Sequence, residues 1–273
     1  MSGYRKKLLA AGCSWTDQNY QHQVGGWHYK TPWPSILGEL LGGWRVKNVG
    51  ESGASNESIA RMVIHQINKY EDIDFVVVMW TNWDRFRFGT TDVQPYMVND
   101  NIEKVPHSEI PVLMAQQAGA ASDYLKYWVR PEDTVERSMY AMYTTALALQ
   151  MKEIPFIFCQ GLRAFIKRPK GVKLRENKHL LDRIAAVRQV SYYDELDIPE
   201  CLGYPFHTKL NGHCMMDLLR DRFDKVEDFA IHPTDIHPND KAHRCMAEHI
   251  YKYMKEINHV HSSNTVLPSR RTP

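Results

Sequence analysis

The chain lacks any pairing pattern among its cysteines. The five (Cys13, Cys159, Cys201, Cys214 and Cys245) are odd in number, scattered, and without a Cys-x-x-Cys spacing. That spacing argues against a disulfide framework or a structural zinc site and fits reduced thiols in a cytosolic protein. No run approaches the roughly 20 apolar residues that a membrane span needs. The apolar stretch 8–11, behind a basic start, is too short for a secretory signal. Charge of one sign is missing as well: 34 Lys and Arg stand against 32 Asp and Glu, a net +2. Such a balance gives no field that favours nucleic acid or an anionic membrane as partner. One local basic run (Arg163, Lys167, Arg168, Lys170, Lys173 and Arg175) reads as a solvated loop or as a contact for an anionic partner. The expected location is the cytoplasm, or a virus particle assembled there.

What is present is ordinary globular composition, 43% hydrophobic and 24% charged over 273 residues. No repeat or low-complexity segment interrupts it. Residues 7–11, 75–80 and 155–159 are short apolar runs bounded by polar residues, the pattern of buried parallel strands, and 45–48 is a weaker fourth. Helical spacing lies between them. Ile59, Met62, Val63, Gln66, Ile67 and Tyr70 fall three to four apart behind a Ser55 cap. Val135, Met139, Met142, Tyr143, Ala146 and Leu149 repeat the spacing, and a last helix after Pro238 carries Ala242, Cys245, Met246, His249, Ile250 and Tyr253. Strand alternating with helix predicts an α/β fold with one parallel sheet between helix layers. The expectation is a single domain over 1–258 with insertions at about 85–130 and 161–230, then a flexible tail over 259–273.

Ligands of open α/β sheets bind beyond the carboxyl ends of the strands, so the residues just after each strand are the ones to weigh. Gly12-Cys13-Ser14-Trp15-Thr16 follows the first strand. Such a junction can raise a hydroxyl above the sheet edge and gather N–H groups at a helix start, or simply cap that helix. Asn48-Val49-Gly50-Glu51-Ser52-Gly53 follows the second; its glycines allow close approach of backbone or ligand, or form only a turn. Trp80-Thr81-Asn82-Trp83-Asp84-Arg85 follows the third. Asn82 can offer a side-chain N–H to an oxyanion or serve as a turn residue. Before the last helix stands His232-Pro-Thr-Asp235-Ile-His237-Pro238. A histidine held by proline, with a carboxylate nearby, suits a general base and the group that orients it.

In this order the four segments resemble the blocks of the SGNH hydrolases, the GDSL esterase and lipase superfamily. Gly12-Cys13-Ser14 resembles the first block, 48–53 the second, 80–83 the third and 235–237 the last, over about residues 7–255. The resemblance implies a flavodoxin-like fold, a nucleophilic Ser14, His237 as base with Asp235, and an oxyanion hole of Ser14, Gly53 and Asn82. It implies no cofactor. Cys13 stands in place of the usual Asp, and Trp80 and Trp83 replace the Gly and second Asp of the third block. The acid sits two residues before the histidine instead of three, with Thr234 at the usual place, and Gly50 is an alternative to Gly53. A Gly-Cys-Ser-x-Thr segment also resembles uncharacterised members from bacterial viruses.

The expected partner is a small acylated substrate. Trp15, Trp83 and Arg85, on or beside the blocks, are the expected substrate contacts. Aromatic faces there suit an O-acetylated carbohydrate, and Arg85 a carboxylate or hydroxyl. Three alternatives stand beside this reading. One is a metal-dependent hydrolase using His232, Asp235, His237, Asp240 and His243, against which Pro233 and Pro238 break any single ligand face. Another is a non-catalytic glycan-binding or structural protein on the same fold. The third is nucleophilic attack by Cys13.

Overall fold

The computed structural model describes residues 5–20, 30–83, 85–88, 91–93, 131–163, 192–206, 208, 211–233 and 235–263. In chain order these form β1 (Lys7–Gly12), α1 (Trp33–Leu40), β2 (Arg45–Asn48), α2 (Asn56–Lys69), β3 (Phe75–Trp80), β4 (Phe86–Phe88) and β5 (Thr91–Val93). There follow α3 (Pro131–Met151), β6 (Phe156–Gln160), α4 (Tyr192–Glu195), β7 (Cys201–Leu202), α5 (Met215–Arg222) and α6 (Val226–Phe229). The short strands β8 (Ala230–His232) and β9 (Asp235–Pro238) lead into α7 (Asp240–Ser263).

Five strands pair in the order β2-β1-β3-β6-β7, all parallel. This is the 2-1-3-4-5 order of a flavodoxin-like doubly wound sheet. Its centre follows from composition. Every residue of β3 (Phe-Val-Val-Val-Met-Trp) and of β6 (Phe-Ile-Phe-Cys-Gln) is buried, as strands covered on both faces require. One helix layer pairs α2 with α3; the other pairs α1 with α7, against which α5 also packs. Helix α2 has the expected Ser55 cap, whose hydroxyl accepts from the Ser58 N–H at 3.3 Å, and it turns Ile59, Ala60, Val63 and Ile67 inward. No helix among the described residues is long and apolar enough to cross a membrane.

The four expected strands form, and so do the three helices expected from spacing, α2, α3 and α7, with boundaries shifted by a few residues. Two features differ from expectation. The segment 161–230 is no mere insertion: it contains β7, the fifth strand of the sheet, and helices α4, α5 and α6. With two residues, β7 is too short to show any alternation. Helix α7 continues to Ser263, past the expected start of the tail at 259. Most of the first expected insertion, 94–130, lies outside the described residues, as do 164–191 and 264–273.

Candidate active site

The loop after β1 is shaped by close backbone approach. A Cβ on Gly12 would lie 2.2 Å from Thr16 Oγ1 and 2.8 Å from Met79 O, so only glycine fits. The Cys13 carbonyl then accepts the N–H groups of Thr16 (2.8 Å) and Asp17 (3.1 Å). That tight turn, rather than the expected helix start, holds Ser14 at the sheet edge. Ser14 is 4% exposed, whereas the Cys13 side chain is fully buried in the core. Cys13 belongs to the core cluster, and the side chain that meets His237 is Ser14, which speaks against Cys13 as the nucleophile.

The loop after β2 is fastened to this turn. Asn48 Nδ2 donates to Thr16 O at 2.6 Å. Asp17 accepts from Ser52 through both its N–H (3.1 Å) and its hydroxyl (2.6 Å). Donor bookkeeping separates the two glycines. The N–H groups of Val49, Gly50, Glu51, Ser52 and Ala54 are taken by Ala10 O, Asn48 Oδ1, Gly12 O, Asp17 Oδ2 and Glu51 O. Among the described residues, Gly53 alone in 49–54 has an N–H without a partner, and its φ of +84° suits glycine. Gly50 is instead the contact glycine: a Cβ there would sit 2.7 Å from both Asp17 N and Thr16 C.

His237 is delivered by β9. Alternate residues of a strand share a face, so Asp235 and His237 stand side by side at a spacing of two. The Asp235 Oδ1 atom accepts the His237 N–H at 3.0 Å and is paired with His237 Nδ1. With Nδ1–H committed to the carboxylate, Nε2 is the acceptor, and it lies 2.7 Å from Ser14 Oγ. Pro238 is buried, and Asn239 fixes the entry to α7, accepting from Ala242 N (3.1 Å) and donating to Asp228 O (3.0 Å) and Ala230 O (3.2 Å). Burial alone would raise the Asp235 carboxyl, but hydrogen bonds from His237 and Tyr20 outweigh it and hold the group well below the usual carboxylate range. Asp235 is therefore ionised throughout the neutral range.

Asn82 follows β3, which pairs with β1. The residue is 2% exposed, and Nδ2 donates to Arg163 O at 2.6 Å, which leaves one amide N–H without a partner among the described residues. Arg163 is itself held by Asp217 through Nε (3.0 Å) and Nη2 (2.9 Å). The expected substrate contacts need correction. Trp15 and Trp83 are 0% and 1% exposed and belong to the core, so neither offers a ring face to a sugar. Trp83 spends its indole N–H on Gln160 Oε1 at 3.3 Å. Arg85 is buried too and, among the described residues, its side chain reaches only Ala54 O at 3.4 Å.

The five candidate metal ligands near the last helix do not converge. Asp235 and His237 are paired with each other, Asp240 accepts from the N–H groups of Lys30 (2.7 Å) and Thr31 (3.2 Å), and buried His243 accepts from Trp33 N at 3.2 Å. No group of three or more His, Cys, Asp or Glu able to hold a metal occurs among the described residues. Several site residues carry no sequence signal. Tyr20 donates to Asp235 Oδ2 at 2.6 Å and stacks on the His237 ring at 4.0 Å. Asn56 and Gln160 clamp Thr81: Asn56 Oδ1 accepts its N–H at 2.9 Å, and Gln160 Nε2 donates to its carbonyl at 2.6 Å. Their partners lie 25 to 217 residues away along the chain, which no local pattern reports.

No family model matches the chain, and no curated protein matches it. Among solved structures it is similar to an acetylxylan esterase from Geobacillus stearothermophilus (15% identity, 91% of this chain and 94% of that one, TM-score 0.46). It is also similar to a protein described as lipolytic, of the G-D-S-L family, from Desulfitobacterium hafniense (16%, 91% and 99%, TM-score 0.44). A third is the psychrotrophic esterase EstA from a Pseudoalteromonas species (13%, 93% and 99%, TM-score 0.44).

Proposed function

We propose that this protein is a serine ester hydrolase that cleaves small acyl esters through an acyl-enzyme. The observation that carries the reading is the connected series Ser14 Oγ, His237 Nε2 (2.7 Å), His237 Nδ1 and Asp235. A hydroxyl is a weak nucleophile until an adjacent base takes its proton, and a base needs a partner that fixes its tautomer. Both conditions are met by three side chains from opposite ends of the sequence. That arrangement speaks against a degraded, purely binding site.

In the proposed reaction His237 takes the Ser14 proton as Oγ attacks the ester carbonyl carbon. The carbonyl oxygen becomes an oxyanion, held by the N–H groups of Ser14 and Gly53 and by the uncommitted amide N–H of Asn82. Collapse breaks the bond to the alcohol oxygen, which receives the proton from His237. Water, deprotonated in turn by His237, then attacks the acyl carbon and releases the acid, returning the proton to Ser14. For the leaving alcohol, carbohydrate is the class to test first, with acetylated xylooligosaccharides as probes. The buried Trp15 and Trp83 lend no stacking face to that choice.

Turnover of p-nitrophenyl acetate tests the reading. Native protein should hydrolyse it, and Ser14→Ala and His237→Ala should each lose activity on the order of ten-thousandfold, because nucleophile and base act as a unit. Equal turnover by native protein and Ser14→Ala would contradict it.

A further inference from the structure

The turn that presents Ser14 continues for six residues and brings an aromatic ring back to the histidine. Asp17 organises it: its carbonyl accepts Tyr20 N at 3.3 Å, and its Oδ1 accepts Asn19 N at 2.9 Å. The Tyr20 ring then lies against the His237 imidazole, centroids 4.0 Å apart and planes 23° from parallel. Its hydroxyl is 2.6 Å from Asp235 Oδ2 and 2.9 Å from His237 Nδ1. A phenol has one proton. Asp235 is ionised and can only accept, so that proton goes to Oδ2. Burial first, and the Asp235 carboxylate second, push the phenol well above its ordinary range, which keeps it a donor.

Asp235 must do its work from two residues before His237. Its Oδ1 is already occupied by the His237 backbone N–H and ring Nδ1. Rotation of the carboxylate about its own bonds would let that contact lapse, and a bond to the outer oxygen Oδ2 opposes it. The Tyr20 hydroxyl makes such a bond. Ring stacking covers one face of the imidazole as well and limits its tilt.

We infer that Tyr20 is a positioning residue for the catalytic histidine: its hydroxyl locks the Asp235 carboxylate and its ring seats His237, which makes the two-residue Asp-x-His spacing workable. The inference rests on the serine-hydrolase reading above. Acting through Asp235, Tyr20 contributes to the chemical step and not to substrate affinity.

A double-mutant cycle tests this, with p-nitrophenyl acetate as substrate. Tyr20→Phe keeps the ring and the stacking and removes only the hydroxyl. A hydrogen bond to a charged group is lost, so kcat should fall on the order of tenfold with KM changed less than about twofold. In an Asp235→Ala background the same Tyr20→Phe change should have no further effect, since the group it holds is gone. A Tyr20→Phe variant with native kcat overturns the inference while leaving the hydrolase reading intact. An equal loss in both backgrounds overturns it too, because Tyr20 would then act independently of Asp235. Absence of any Ser14-dependent turnover in the native protein overturns both readings together.

Discussion

Asn82 gives one of its two amide N–H groups to Arg163 O, and among the described residues the other has no partner; that second N–H is the one the proposed oxyanion hole uses. Removing one donor from such a hole typically costs about 2.7–4 kcal/mol of barrier. Asn82→Ala should therefore lower kcat on the order of a hundredfold or more, and lower thermal stability as well because Arg163 O loses its donor; a near-native rate removes Asn82 from the proposed hole. At this scale the meeting of Ser14, Asp235 and His237 is legible in the sequence, because each stands beside a strand end or proline that restricts it. Tyr20 was not, since its two partners are 215 and 217 residues away and nothing local marks it. The tryptophans misled for the opposite reason. Aromatics beside a site and aromatics packing the sheet edge look alike in sequence, and only burial tells Trp15 and Trp83 apart from binding faces.

Elements place these residues through close backbone contact, and the loop between β2 and α2 shows how narrow the tolerance is. Gly50→Ala would put a Cβ 2.7 Å from the backbone of Thr16 and Asp17, the turn that carries Ser14. Overpacking of that kind costs about 1–3 kcal/mol. It should lower both the urea midpoint and kcat, because the two loops must part. Gly53→Ala meets nothing within 4 Å, but its φ of +84° is unfavourable for alanine, at roughly 1–2 kcal/mol. Its urea midpoint should fall less than that of Gly50→Ala; the reverse ranking would contradict the assignment of Gly50 as the contact glycine. The element order was largely legible, because apolar runs and helical spacing alternate. What could not be read was β7, whose two residues have no periodicity, and the strand character of β9. That strand explains the two-residue Asp-x-His spacing, which reads as a defect when the segment is taken for a loop.

For the whole molecule, ionisation couples stability to pH. His243 is fully buried and neutral; burial first, then the neighbouring His237, pushes its pKa down from 6.5 to about 3. Between those values the unfolded chain binds a proton that the folded chain does not. Its contribution is thus complete above about pH 6.5 and is lost as pH falls toward 3. His213 and His249, both lowered chiefly by burial, act with the same sign. Asp235 adds a second loss further down: its folded value lies below the ordinary 3.8, so its stabilisation is present above that pH and disappears beneath it. Urea midpoints should therefore fall steadily from pH 7 to pH 4, and less steeply in His243→Gln; a midpoint that is flat or rises over that range would contradict the buried neutral histidine.

If Ser14 is the activated nucleophile proposed above, a fluorophosphonate should react with it, and peptide mass mapping of the labelled protein locates the adduct. Native protein should carry a single adduct on Ser14 and Ser14→Ala none, with labelling slowed by several orders of magnitude in His237→Ala. Folded native protein that stays unlabelled, or that carries the adduct on another residue, would contradict that proposal.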